Sequence, residues 1–152
     1  MTEILNTTAG FVPDGILHDQ KTKLFSYDGK TLRFVFDLEW FWDYDGNEVL
    51  EKYKGYKTCV LELEPYKDSD ITFVNLWEFK TKGNKFGGIE ISLDDFIALA
   101  NNDYVTVGYM STYVSDVGIM IELSFCAEKG KYKKYGCAEL HTQTEQIKFI
   151  WE

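Results

Sequence analysis

Asp43, Asp45 and Asn47 stand at alternate positions in the stretch "DYDGN", the spacing at which a calcium loop presents its first three side-chain oxygens. Such a loop also needs glycine at its sixth position, for the sharp turn, and a bidentate glutamate at its twelfth. Here those positions hold Glu48 and Lys54, so a dedicated calcium site is not expected. The two histidines offer little more. His18 stands beside Asp19, and His141 lies far along the chain. A zinc site needs about four nitrogen or sulfur ligands at recognisable spacing, and the sequence has no CxxC, HxxxH or HExxH. No GxSxG marks a nucleophile and no glycine-rich phosphate loop is present. "GNKFGG" (83–88) reads as a turn. The sequence therefore predicts no catalytic residues, no metal, no cofactor and no enzyme activity, and both histidines are read as hydrogen-bonded structural residues.

What remains is a surface. From Asp37 to Glu51 there are six acids (Asp37, Glu39, Asp43, Asp45, Glu48 and Glu51) and no base, interleaved with Trp40, Phe41, Trp42 and Tyr44. Successive strand residues point to opposite faces, so Trp40, Phe41 and Trp42 do not all enter one core. Rings set among acids suit contact with a basic protein. The predicted partner-binding residues are Asp37, Glu39, Trp40, Trp42, Asp43, Tyr44, Asp45 and Glu48. The competing use is ring stacking on a glycan or small ligand by Trp40, Trp42 and neighbouring tyrosines; the third is a solvated loop with buried rings.

The elements that must position these residues are strands. The 152 residues include 11 Phe, 10 Tyr and 4 Trp, roughly twice the ordinary aromatic share, and such rings favour pleated, half-buried surfaces. From Thr31 to Trp42 the even positions are Leu32, Phe34, Phe36, Leu38, Trp40 and Trp42, while Arg33, Asp37 and Glu39 stand at odd ones. Period two over this length predicts a long strand with one buried face. Ahead of it, "KTKLFSY", Asp28-Gly29 and "KTLRF" read as a hairpin with a two-residue turn. "KTCVLELE" (57–64) puts Cys59, Leu61 and Leu63 on one side. "DITFVNLWEF" (70–79) puts Ile71, Phe73 and Trp77 on one side, with Asn75 among them. "YVTVGYM" (104–110) and "DVGIMIELSFC" (116–126) predict another hairpin, with Val117, Ile119, Ile121, Leu123 and Phe125 sharing a face. "YGCAELHT" (135–142) and "EQIKFIWE" (145–152) are shorter candidates. One helix is predicted near 92–101: Ser92 is a natural N-cap, Asp94 and Asp95 suit the positive end of the helix dipole, and Phe96, Ile97 and Ala100 recur at helical spacing. The fold class expected is mainly β: an antiparallel sandwich or strongly curved sheet carrying one short α-helix, in a single domain spanning 1–152.

Composition bounds the partners. The net charge is −9, from 25 acids against 16 bases, and Arg33 is the only arginine. Phosphate binding needs clustered cations, so nucleic acid is not expected. The N-terminus has no basic start followed by a long apolar run, and no window approaches the ~18 apolar residues of a membrane span. Cys59, Cys126 and Cys137 are too few and too far apart for a disulfide framework. Reduced thiols and a cytoplasmic location are expected.

The stretch "GILHDQKTKLFSYDGKTLRFVFDLE" (15–39) resembles the openings of small bacterial β-rich proteins of the polymorphic-toxin immunity type. The likeness is a His-Asp pair, a strand, a short Asp-Gly turn and a long alternating strand. It implies a protein that neutralises a cognate toxin by binding it. An acidic surface would then match a basic toxin by charge, and His18-Asp19 would be architectural, fixing the first turn.

Overall fold

The structure, a computed structural model, describes residues 3–7, 17–38, 55–66, 72–79, 86–115, 118–144 and 147–152. Its elements in chain order are β1 (Glu3–Thr7), β2 (Thr22–Tyr27), β3 (Leu32–Asp37), β4 (Thr58–Leu63), β5 (Phe73–Phe79), β6 (Phe86–Ser92), α1 (Leu93–Ala100), β7 (Val105–Ser115), β8 (Gly118–Ala127), β9 (Cys137–Thr142) and β10 (Ile147–Trp151). They form two five-stranded antiparallel sheets, in the orders β1-β10-β4-β3-β2 and β6-β5-β9-β8-β7. The mainly β class is therefore the architecture observed, with one short helix among the described residues.

Alternation decides what each strand buries. In β3, Leu32, Phe34 and Phe36 are fully buried, and Leu38 just beyond follows them; Arg33 points away and pairs with Glu62 at 2.8 Å. In β8, Ile119, Ile121, Leu123 and Phe125 are buried; Val117 lies outside the described residues. Both sheets contribute to one hydrophobic cluster. At its heart a run of edge-on rings, Phe96–Phe25–Phe34–Phe36–Tyr109, leads from α1 through the first sheet to the second, with centroids 4.8 to 6.4 Å apart. Edge-to-face contact sets the positive ring edge against the negative ring face.

The helix begins where Ser92 Oγ accepts from the backbone N–H of Asp95 at 3.1 Å. It buries Leu93, Phe96 and Leu99 and ends at Asn101. There the Asn101 side chain does a strand's work. Its Oδ1 accepts from Phe25 N–H at 2.9 Å and its Nδ2 donates to the Phe25 carbonyl at 2.8 Å, closing part of the open edge of β2.

Two local readings need correction. The β2–β3 hairpin exists, but beyond the Tyr27–Leu32 pair Asp28 N–H donates to the Thr31 carbonyl at 3.4 Å, so the two residues at its tip are Gly29 and Lys30 rather than Asp28 and Gly29. Only Gly29 adopts a positive φ there (90°), and the Asp28 carboxylate accepts from the N–H groups of Lys30 and Thr31 at 2.8 and 2.7 Å. These backbone donors hold the Asp28 carboxyl below its ordinary range. Next, Phe86, Gly87 and Gly88 open strand β6 rather than belonging to a turn; residues 83–85 lie outside the described residues. Glycine is required at 88, because a Cβ there would sit 2.8 Å from two atoms of the Trp77 ring. Glycine in a strand here marks a close approach, not a bend. Phe73, Asn75 and Trp77 share a side of β5 as expected, with Ile71 outside the described residues, and it is the opposite side, Val74 and Leu76, that enters the core. The strand is apolar on both sides, and its pairing with β9, which aligns Val74 with Leu140 and Leu76 with Ala138, selects the buried one.

Candidate functional site

Among the predicted partner-binding residues, Asp37 is the one described; Glu39, Trp40, Trp42, Asp43, Tyr44, Asp45 and Glu48 lie outside the described residues. Asp37 ends β3 on the outer side of the first sheet. Its Oδ1 lies 3.5 Å from Lys23 Nζ, so this acid, with no base near it in the 37–51 run, has a cation across the strand pair.

His18 and Asp19 pair with one another, Nδ1 to Oδ2 at 3.0 Å, both about half exposed. Asp19 takes a positive φ of 64°, a conformation that aspartate tolerates better than most residues. The backbone does the docking. Asp19 N–H donates to the Tyr109 carbonyl at 2.8 Å, Tyr109 N–H donates to the Gln20 carbonyl at 2.9 Å, and Gln20 N–H closes the turn on Leu17 at 2.9 Å. Leu17 and Gln20 are buried, and Lys21 bridges to Gly108. The pair therefore sits on a turn that fastens the lead-in of β2 along the edge of β7.

The outer face of the second sheet also sets acids among rings. Its register aligns three complete rows across β6, β5, β9, β8 and β7. The first is Ser92–Phe73–His141–Met120–Tyr113. The second is Glu90–Asn75–Glu139–Glu122–Ser111, and the third is Gly88–Trp77–Cys137–Ser124–Gly108. These positions include three carboxylates and four aromatic or imidazole rings, with no lysine or arginine. Glu122 and Glu139 stand directly opposite each other, an arrangement that is unfavourable for like charges. His141 Nε2 approaches Glu139 Oε2 at 3.2 Å, and its ring stacks on Phe73 with centroids 4.8 Å apart and planes 14° apart. Glu90 and Tyr113 are exposed; Phe73, Trp77, Glu122, Glu139 and His141 are half-buried. The Trp77 indole lies over Gly88, and its buried Nε1 has no hydrogen-bond acceptor among the described residues.

The field of this face is felt by Cys137. Burial pushes its thiol up to about 11, with Glu122 and Glu139 adding to the rise. Burial also pushes the Cys59 thiol up. All three cysteines are free, and Cys126 is the exposed one. Because the thiolate is the reactive form, an alkylating reagent at neutral pH is expected to modify Cys126 in the native protein and all three after unfolding. Mass spectrometry of the two samples reads this directly, and native labelling of Cys137 as fast as Cys126 would contradict the burial described.

Positive charge is gathered elsewhere. In the β8–β9 connection Lys129, Lys131 and Lys134 lie over the rings of Tyr104, Tyr132 and Tyr135 at 5.1, 5.0 and 5.4 Å. Among the described residues no cluster of His, Cys, Asp and Glu could hold a metal ion, and no helix is long and apolar enough to cross a membrane. Sequence reading missed the acidic row because Glu90, Glu122 and Glu139 come from three separate strands and meet only through their register. No protein-family model matches the chain, and no curated protein or solved structure matches it either.

Proposed function

We propose that this is a non-catalytic interaction protein that binds a basic protein partner, and that it acts as an immunity-type protein neutralising a basic toxin. The observation that supports this most is the outer face of the second sheet, where Glu90, Glu122 and Glu139 lie among Phe73, Trp77, His141 and Tyr113 without a lysine or arginine. Opposed carboxylates add nothing to the fold, and a cationic partner relieves their repulsion. Half-exposed rings beside them supply the apolar contact that charge alone lacks.

The product of the adjacent gene is the first partner to test. A complex is expected whose association slows as salt rises. In Glu90→Gln/Glu122→Gln/Glu139→Gln, stability is expected to be equal or higher by a few tenths of a kcal/mol, since the facing charges are gone. Association is expected to slow by roughly tenfold and to lose most of its salt dependence. An unchanged rate across a salt series would make the acidic face a solubility device and remove the main support for this function.

A glycan- or small-ligand-binding module is the second reading, favoured by the flat Phe73–His141 stack and by Tyr113, 55% exposed. Binding of this kind would be nearly insensitive to salt and to the triple amide substitution, which separates it from the first.

A further inference from the structure

We propose that the outer edge of β6 receives an extended segment of the partner, alternately basic and apolar, as an added strand of the second sheet. The basic character of that segment rests on the function proposed above; the strand addition rests on the edge itself.

Sheet edges expose unpaired N–H and C=O groups, and folded proteins close or blunt them. This chain does so at two places. The β2 edge is capped at Phe25 by the Asn101 side chain, and the β7 edge is held at Tyr109 by the turn through Asp19 and Gln20. β1, the remaining edge of the first sheet, has no such closure among the described residues, and neither has β6. It pairs with β5 over seven residues. Among the described residues no backbone group bonds its other side. Its sequence, "FGGIEIS", contains no lysine, arginine or proline, and its one charge is the carboxylate of Glu90, which turns away acidic strands but not basic ones. In an antiparallel ladder every second residue of β6 turns both N–H and C=O away from β5.

The flanking side chains state what would pair there. On the outer face an added strand would run beside Gly88 and Glu90. The Trp77 indole lies against Gly88, placing an aromatic ring beside this edge, and Glu90 begins the acidic row. On the other face the strand would pass Ile89, 38% exposed at the margin of the core, which suits an apolar side chain. Alternation of basic and apolar residues meets both faces at once. A second copy of this chain does not fit, because pairing β6 with β6 would bring two acidic rows, on chains of charge −9 each, edge to edge.

The test uses a capped peptide of alternating lysine and valine, matched in length to β6, titrated into the full chain while backbone amide resonances are followed. Two further versions carry N-methyl groups on alternate residues, one version for each set. The expected result is saturable binding that shifts β6 amides. One N-methylated version is expected to lose roughly tenfold or more in affinity, and the other to stay within about twofold of the parent. Equal binding of all three peptides, weakened by salt, would overturn the strand addition and leave the acidic face as a charge surface. A glutamate–valine peptide that bound as well as the lysine–valine one would overturn the basic partner instead.

Discussion

Phe34→Ala is expected to lower the stability of the fold by about 3–5 kcal/mol, the range for deleting a fully buried aromatic side chain. Phe34 has no exposed surface and stands in the middle of the ring series, with Phe25 4.8 Å away on one side and Phe36 6.4 Å away on the other. Through Phe25 it is linked to Phe96 of the helix, and through Phe36 to Tyr109 of the second sheet. Truncation leaves a void where helix and both sheets converge, so no single element can move to fill it without opening another contact. Against the roughly 5–15 kcal/mol that holds a domain folded, that loss removes much of the margin. Urea denaturation reads it as a lower midpoint at unchanged slope. Leu24→Ala is the control: Leu24 lies on the neighbouring strand but is 48% exposed, and its loss should be well under about 1 kcal/mol. A shift for Phe34→Ala no larger than the control's would mean that the ring series does not carry the core.

The strands of this fold were legible where one side was apolar and the other was not. β3 and β8 alternate cleanly, and the described members of the expected sets, Leu32, Phe34, Phe36 and Leu38 and then Ile119, Ile121, Leu123 and Phe125, are buried; Trp40, Trp42 and Val117 lie outside the described residues. The helix was legible from Ser92 and the two acids after it, because an N-cap is a local hydrogen bond that needs no tertiary context. β5 was ambiguous for a physical reason: Phe73 and Trp77 outweigh Val74 and Leu76 in size, yet the smaller pair is buried, because cross-strand register decides the face and hydrophobicity does not. The glycines of "GNKFGG" suggest a turn, whereas Gly87 and Gly88 lie in β6 and Gly88 makes room for the Trp77 ring beside it. The acids and rings of the candidate site were each visible, but their grouping was not. Glu122 and Glu139 become neighbours only when β8 and β9 pair, and a dense local run such as 37–48 draws attention that a row assembled across strands does not.

Asn101→Leu is expected to destabilise the protein by about 2–3 kcal/mol, an unusual loss for a residue at the exposed end of a helix. The reason is the double bond to Phe25. One amide side chain satisfies both the N–H and the C=O of a residue whose ring belongs to the core series, and leucine leaves both backbone groups without that partner. Asn101→Asp separates this account from a generic helix-end effect. A carboxylate can accept from Phe25 N–H but cannot donate to the Phe25 carbonyl, and its charge also opposes the negative end of the helix dipole. Once protonated it can donate again, so the deficit of Asn101→Asp relative to the parent should shrink as pH falls, while that of Asn101→Leu should not. Both variants also reopen part of the β2 edge, so concentration-dependent association should appear in them before any change in the outer face of the second sheet. Thermal or urea unfolding of the three proteins at neutral and acidic pH measures the first effect, and sedimentation at two concentrations measures the second. If Asn101→Leu unfolds at the parent's midpoint, the amide does not act as a substitute strand. The contrast between the closed edges and the edge of β6, unbonded among the described residues, would then lose one of its two supports.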